Sequence, residues 1–186
     1  MLLGTHTKLS VIAFLASSFF SLTALADDIG VTIDTFPGTF TPGTTSGAGV
    51  YEITVSKAGS GTVAGIEVRL SFSSSSGVNE FQWSCSGAGA SSCSSGSGTN
   101  NDHNIDLILS LEDTNAVTLT LGSVKYEPEF FDDLTFSATM INDGVSNTDS
   151  NDTNDTDSQT ITRASITDIS VTNTDGQGTY KPGESS

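Results

Sequence analysis

Basic residues, histidine, cysteine and tryptophan are all scarce in this chain, and each shortage removes a class of function. Six Lys and Arg stand against 22 Asp and Glu, a formal net charge of −16 over 186 residues. Such a field repels phosphate backbones and anionic membrane surfaces, which argues against nucleic-acid binding. Of the two histidines, His6 lies in the leader-like start described below and His103 in the polar run Asn100–Asn104. A Ser or Cys nucleophile therefore has one histidine to use as a base, and the neighbours of that histidine are those of a turn. Two thiols and one histidine cannot assemble a four-ligand zinc site. Helical periodicity is absent after residue 26, and no apolar run beyond that point is long enough to span a bilayer, so no membrane insertion of the mature part is expected.

Residues 1–26 read as a secretory signal peptide. Lys8 supplies the positive charge, Leu9 to Leu25 an apolar run, and Ala24-Leu25-Ala26 a small-x-small cleavage site before Asp27. An uncleaved membrane anchor is the alternative. The expectation is an exported protein, extracellular or held at the cell surface. Export brings Cys85 and Cys93 into an oxidising space, where a disulfide between them is the expected state and two free buried thiols the alternative. A loop this short would stabilise by about 2.5 kcal/mol in the chain-entropy model, less any strain.

Period-two alternation recurs along residues 27–164, in segments bounded by Gly, Ser, Asn or Asp. Ile29, Val31 and Ile33 mark a first strand; Tyr51, Ile53 and Val55 a second, after the turns Phe36-Pro37-Gly38 and Thr41-Pro42-Gly43. Ile66, Val68, Leu70 and Phe72 alternate with Glu67, Arg69 and Ser71 in the clearest strand of all. Phe81 and Trp83 lead into Cys85, and Trp83, two residues from the thiol, is expected on the same strand face beside the bridge. The stretch Ser86–Asn101 reads as a Gly/Ser-rich loop. Four further strands follow, through Ile105–Leu111, Val117–Val124, Leu134–Met140 and Gln159–Ala164. Seven or eight antiparallel strands with no helix to cover a face are best satisfied by two sheets packed together, with a closed barrel as the alternative.

The opening of that domain occurs twice. DIGVTIDTFPGTFTPGTTS, residues 28–46, returns without a gap as DISVTNTDGQGTYKPGESS, residues 168–186. An offset of one whole domain, far beyond the repeat length of solenoids, implies separately folded modules in a row. The expected organisation is a signal peptide at 1–26, one repeat domain at 27–164, and the truncated start of a second repeat at 165–186.

Two features now meet. A strand opening Asp-Ile-x-Val-Thr is followed by a Pro-Gly turn (Pro42-Gly43 and again Pro182-Gly183), and Trp83-Ser84-Cys85-Ser86-Gly87 stands mid-domain with Cys93 downstream. Together they resemble the conserved-repeat domain called domain of unknown function eleven, found in tandem in bacterial surface and secreted proteins. The resemblance implies an immunoglobulin-like sandwich used as a building block of stalks, envelope layers or adhesins, with no established catalytic residues to carry over.

Three clusters remain as candidate chemistry. Asp149, Asp152, Asp155 and Asp157 offer oxygens of the kind calcium prefers, but the helix-loop-helix pattern fails, with Asn154 where Gly is needed and Thr160 where Glu is needed. Glu127, Glu129, Asp132 and Asp133 cluster around Phe130 and Phe131, which suggests a sugar platform or, more simply, a plug at the end of the sandwich. Asn151-Asp152-Thr153 and Asn154-Asp155-Thr156 match the N-glycosylation pattern. The reading is of a non-catalytic structural or adhesive module, with no cofactor and no assigned metal ligand. Its expected partners are neighbouring repeat modules, with surface glycans or other cell-surface proteins beyond them. A carbohydrate- or calcium-binding extracellular module is the alternative. The structural residues singled out are Cys85 and Cys93 as a bridge, Trp83 as its neighbour, and Pro42-Gly43 as the turn that starts the second strand.

Overall fold

Alternating apolar side chains leave each strand with one face that water disfavours, and the chain buries those faces by closing two sheets over each other. A computed structural model describes residues 27–144 and 149–165. The expected leader at 1–26 and nearly all of the expected second repeat, 166–186, lie outside the described residues. The strands are β1 (Asp28–Thr35), β2 (Thr39–Phe40), β3 (Tyr51–Ala58), β4 (Thr62–Phe72), β5 (Val78–Gly87), β6 (Ser92–Cys93), β7 (Ser97–Asn100), β8 (Asn104–Glu112), β9 (Val117–Tyr126), β10 (Leu134–Asp143) and β11 (Thr156–Arg163), with one 3₁₀ turn at Asp152–Asn154. The first sheet has the order β1-β3-β9-β5-β7 and the second β2-β11-β10-β4-β8-β6. This is an immunoglobulin-like two-sheet sandwich.

Strand number and direction differ from expectation in two places. The strands of eight residues or more, β1, β3, β4, β5, β8, β9, β10 and β11, match the expected set. The short β2, β6 and β7 add to it. Two of these lie inside Ser86–Asn101, so that stretch is not a plain loop. Its Gly and Ser side chains carry no alternation, and its pairing is made by backbone alone: Trp83 opposite Gly98 on β7, Cys93 opposite Leu109 on β8. The sandwich is also not wholly antiparallel, since β2 runs parallel to β11, with Thr39 opposite Thr162 and Phe40 opposite Arg163.

β1 belongs to the first sheet and β2 to the second, so the chain changes sheets at Phe36-Pro37-Gly38. It then returns. Thr44 N–H donates to the Thr41 carbonyl at 3.2 Å and Gly43 has φ +75°, the type II turn that Pro at its second position and Gly at its third favour. The turn hands the chain back to the first sheet, where Thr45 bridges Lys125 and Ser46 exchanges hydrogen bonds with Val124. Pro42-Gly43 is therefore a sheet-switching turn. The second long strand begins only at Tyr51.

The core is centred on rings from both sheets. Tyr51 lies 4.9 Å from Phe136 and 5.7 Å from Phe72 between ring centroids, and Phe72 contacts Phe81 and Phe136 in turn. Such tilted and edge-on pairs add about 0.5–1.5 kcal/mol each beyond the area they bury. A buried Tyr brings a hydroxyl that needs a partner, and Tyr51 finds it in Tyr126, with the two oxygens 2.8 Å apart. Burial pushes both phenols above their ordinary range. At the end of β3 the inward position falls on Lys57, whose side chain is fully buried. Its Nζ donates to the Gly59 carbonyl and sits 3.5 Å from the Asp27 carboxylate.

The hydroxyl pair makes a specific prediction. Tyr51→Phe leaves the Tyr126 hydroxyl buried without a partner and is expected to cost about 1–3 kcal/mol in urea denaturation. The double variant Tyr51→Phe/Tyr126→Phe, which removes both hydroxyls, should recover part of that loss. A Tyr51→Phe protein as stable as the parent would show that the pair contributes nothing.

Candidate functional site

The acidic segment before β11 does not stand free in solvent; it lies along the outer edge of β1. An edge strand carries N–H groups that point away from its one neighbour and need acceptors. Asp149 Oδ2 accepts from Ile29 N–H at 3.2 Å, and Asp157 Oδ2 accepts from Ile33 N–H at 2.8 Å. Between them Asn154 Nδ2 donates to Asp28 Oδ1 at 2.8 Å, and the Asp27 carbonyl accepts from Ser150 N–H. These carboxylates do for the free edge of β1 what another strand would do. Asp157 reaches it from an inward position on β11, opposite Ala138, where period-two burial would favour an apolar residue.

Beside this edge is a pocket of about 220 Å³ lined by Met140, Ile141, Asn142, Asp143, Asp149, Asp152 and Asp155. The Asp155 carboxyl is pushed up to about 6 by burial first, then by the negative charges of Asp149 and Asp152 and a hydrogen bond to Asp149. Its Oδ1 is buried without a hydrogen-bond partner, as is Oδ1 of Asn154. Asp149 is largely occupied already: it accepts from Ile29 and Asn151 N–H, while its own N–H donates to Asp143. Among the described residues, no group of three or more His, Cys, Asp or Glu side chains is arranged to hold a metal ion. Of the four calcium candidates, Asp149 and Asp157 act on the edge, and Asp149 also lines the pocket with Asp152 and Asp155.

Cys85 and Cys93 form a disulfide, with Cα atoms 6.4 Å apart. Cys85 is on β5 of the first sheet and Cys93 on β6 of the second, so the bond ties the two sheets together near their β7 and β6 edges. Trp83 is buried on the same face of β5 as Cys85. Its indole lies over Gly98, where an added Cβ would meet Nε1 at 3.0 Å. The glycine leaves room for the ring.

The other candidates come apart. His103 Nδ1 pairs with Asp102 and Nε2 with Asn104, its immediate neighbours. The backbone N–H of His103, and then its ring, hold the Asp102 carboxyl below its ordinary range. Of the two adjacent phenylalanines, Phe130 packs on the core against Phe40, while Phe131 is 58% exposed with Arg163 over its ring. Asp133 accepts from Arg163 N–H, so that acid secures the end of β11. Sequence reasoning missed Lys57 and the inward role of Asp157; the inward phase of β3, continued from Tyr51, would have found Lys57. No helix among the described residues is long and apolar enough to cross a membrane.

No family model matches the chain. No curated protein matches it either. Among solved structures it is similar to the CARDB domain of a Pyrococcus furiosus protein, crystallised in complex with di-metal ions. That match has 14% identity and a TM-score of 0.47, and covers 87% of this chain and all of that one. It is also similar to a protein that catalyses macrocyclization in alchivemycin A biosynthesis, at 13% identity and a TM-score of 0.39 over 76% of this chain and 92% of that one. A third is BslA, a bacterial hydrophobin, at 14% identity and a TM-score of 0.34 over 77% and 98%.

Asp155 gives a pH-dependent prediction whose sign follows from its raised value. The folded module holds a proton there that the unfolded chain releases more readily, so this group favours folding below about pH 4 and that contribution is lost as pH rises through about 6. Asp155→Asn is expected to raise the melting temperature near pH 7 and to confer no advantage near pH 3.5, relative to the parent at each pH. Equal effects at both pH values would mean that the charge at this position is not what matters.

Proposed function

We propose that this chain is a non-catalytic structural or adhesive module of an exported bacterial surface protein, one unit of a tandem array of the kind its motifs resemble. The observation that carries the reading is which residues the repeat keeps. Asp28, which accepts from Asn154, returns as Asp168. The buried Ile29 and Val31 return as Ile169 and Val171. Thr39, paired with β11, returns as Thr179, and the Pro42-Gly43 switching turn as Pro182-Gly183. Ser46, whose Oγ accepts from Val124 N–H, returns as Ser186. Retention at positions that make contacts supports a second module built in the same way. A disulfide between sheets and a heavily acidic surface suit an exterior location.

If residues 166–186 belong to the next module, a protein ending at Ser165 should melt within about 2 °C of the full chain, because nothing in this core would be lost. A drop of about 5 °C or more would place the segment in this domain instead and remove the tandem reading.

One observation favours a second reading, a cation-binding module. Asp152 and Asp155 face a pocket in which the Asp155 oxygen lacks a partner and like charges crowd, and calcium would relieve both conditions. On that reading, millimolar calcium raises the melting temperature of the parent and not that of Asp155→Asn. A flat calorimetric titration removes it. The sugar reading has less support, since Arg163 already covers part of Phe131.

A further inference from the structure

The stretch from Ser86 to Asn100 is held to the module without a hydrophobic anchor. It contains no aromatic residue and no aliphatic one larger than alanine. From Ser86 to Thr99 every side chain is exposed except Ser91, which is buried, and Cys93, which is half-buried. Ser91 Oγ accepts from Glu112 N–H at 2.9 Å. The rest of the noncovalent grip is backbone: Cys85 N–H donates to the Gly96 carbonyl at 2.7 Å, Ser94 N–H donates to the Ile108 carbonyl at 2.9 Å, and β6 and β7 add ladders of only two and four residues. Ordering a Gly- and Ser-rich chain is entropically costly, and hydrogen bonds at an exposed edge, which water can replace, offset little of that cost. The bond from Cys93 to Cys85 is therefore the strongest hold on the stretch.

β7 is the outermost strand of the first sheet and pairs with β5 over Phe81–Ser84. Under it lies Trp83, the single tryptophan of the chain and only 7% exposed. The indole reaches out as far as β7, since a Cβ added at Gly98 would meet its Nε1 at 3.0 Å and its Cζ2 at 3.2 Å. The buried core takes no aliphatic or aromatic side chain from Ser86–Asn100. Lifting the stretch away would uncover Trp83 and the edge of β5 and leave the core rings where they are.

We infer that the Cys85–Cys93 bond is a redox-sensitive latch. It holds Ser86–Asn100 as a flap over Trp83 and the edge of β5, and its reduction releases the flap while the two sheets stay closed. Both cysteines are half-buried at the margin of the sandwich, within reach of an external dithiol. One thiolate of the dithiol attacks a sulfur, and its second thiol resolves the mixed disulfide. The module gains two electrons and two protons as two thiols, and the reductant leaves as a disulfide. Opened, β5 presents unpaired N–H and C=O groups beside an exposed indole, the kind of edge on which another chain can pair. An oxidising medium keeps the latch shut.

The test compares the oxidised full chain with the same protein after treatment with dithiothreitol, and with a Cys85→Ser/Cys93→Ser variant. Because Trp83 is the only tryptophan, its fluorescence reports on this site alone. Reduction is expected to shift the emission to the red and to open the indole to quenching by acrylamide. Cleavage between Ser86 and Asn101 by a protease of low specificity, located by mass spectrometry, should quicken by at least about tenfold, since cleavage follows the open population and a short-loop disulfide shifts that population by this order. The β-sheet circular dichroism and a cooperative melt should persist, reoxidation should restore the shielded indole, and the double variant should behave as the reduced protein does. An indole equally shielded in both redox states would overturn the proposal, because the flap would not need the bond. Loss of the sheet signal on reduction would overturn it too, because the bond would then hold the whole fold and not the flap.

Discussion

Apolar side chains on one face of each long strand impose the constraint from which the rest follows: two sheets must meet, and rings from both must share the middle. Tyr51 of the first sheet packs against Phe72 and Phe136 of the second. A tyrosine at that depth requires a second hydroxyl, which Tyr126 supplies. Because the sheets are held face to face, loops at their margins are brought against edges far away in sequence. The acidic segment meets β1 across more than a hundred residues for this reason.

That contact explains the acidity locally. Asp149 and Asp157 accept N–H groups of an edge strand that would otherwise be a template for another chain. Asp155 has no such task and bears the cost of the crowding. The cluster that looked like a metal site is therefore divided between a structural duty and a small, electrostatically unfavourable pocket. The disulfide works at the opposite margin, closing the two sheets where their edge strands β6 and β7 are short.

How much could be read in advance depended on whether a feature is local. Ile66, Val68, Leu70 and Phe72 announce their strand because period-two burial is written in neighbouring residues. Adjacent Phe130 and Phe131 lie between β9 and β10, outside any strand, so that rule does not tell which of them turns inward. Ser97–Asn100 could not be recognised, because a Gly- and Ser-rich strand paired by its backbone has no side-chain signature. The cap of Asp157 on Ile33 joins residues 124 apart, and no spacing argument reaches that far. The sheet switch at Pro42-Gly43 was visible as a turn but not in what it connects.

The parallel pairing of β2 with β11 would set how the fold responds if its two ends were pulled. The chain enters at Asp27, beside Ser150 and the start of β11, and leaves after Arg163, at the far end of the same strand. Pulling those two ends apart slides β2 and β11 past each other along their length. The bonds from Thr162 N–H to Gly38 and from Ala164 N–H to Phe40 then lie across the direction of force and must break together, not one after another. A brick whose grip is sheared as a patch resists extension better than one opened like a zip.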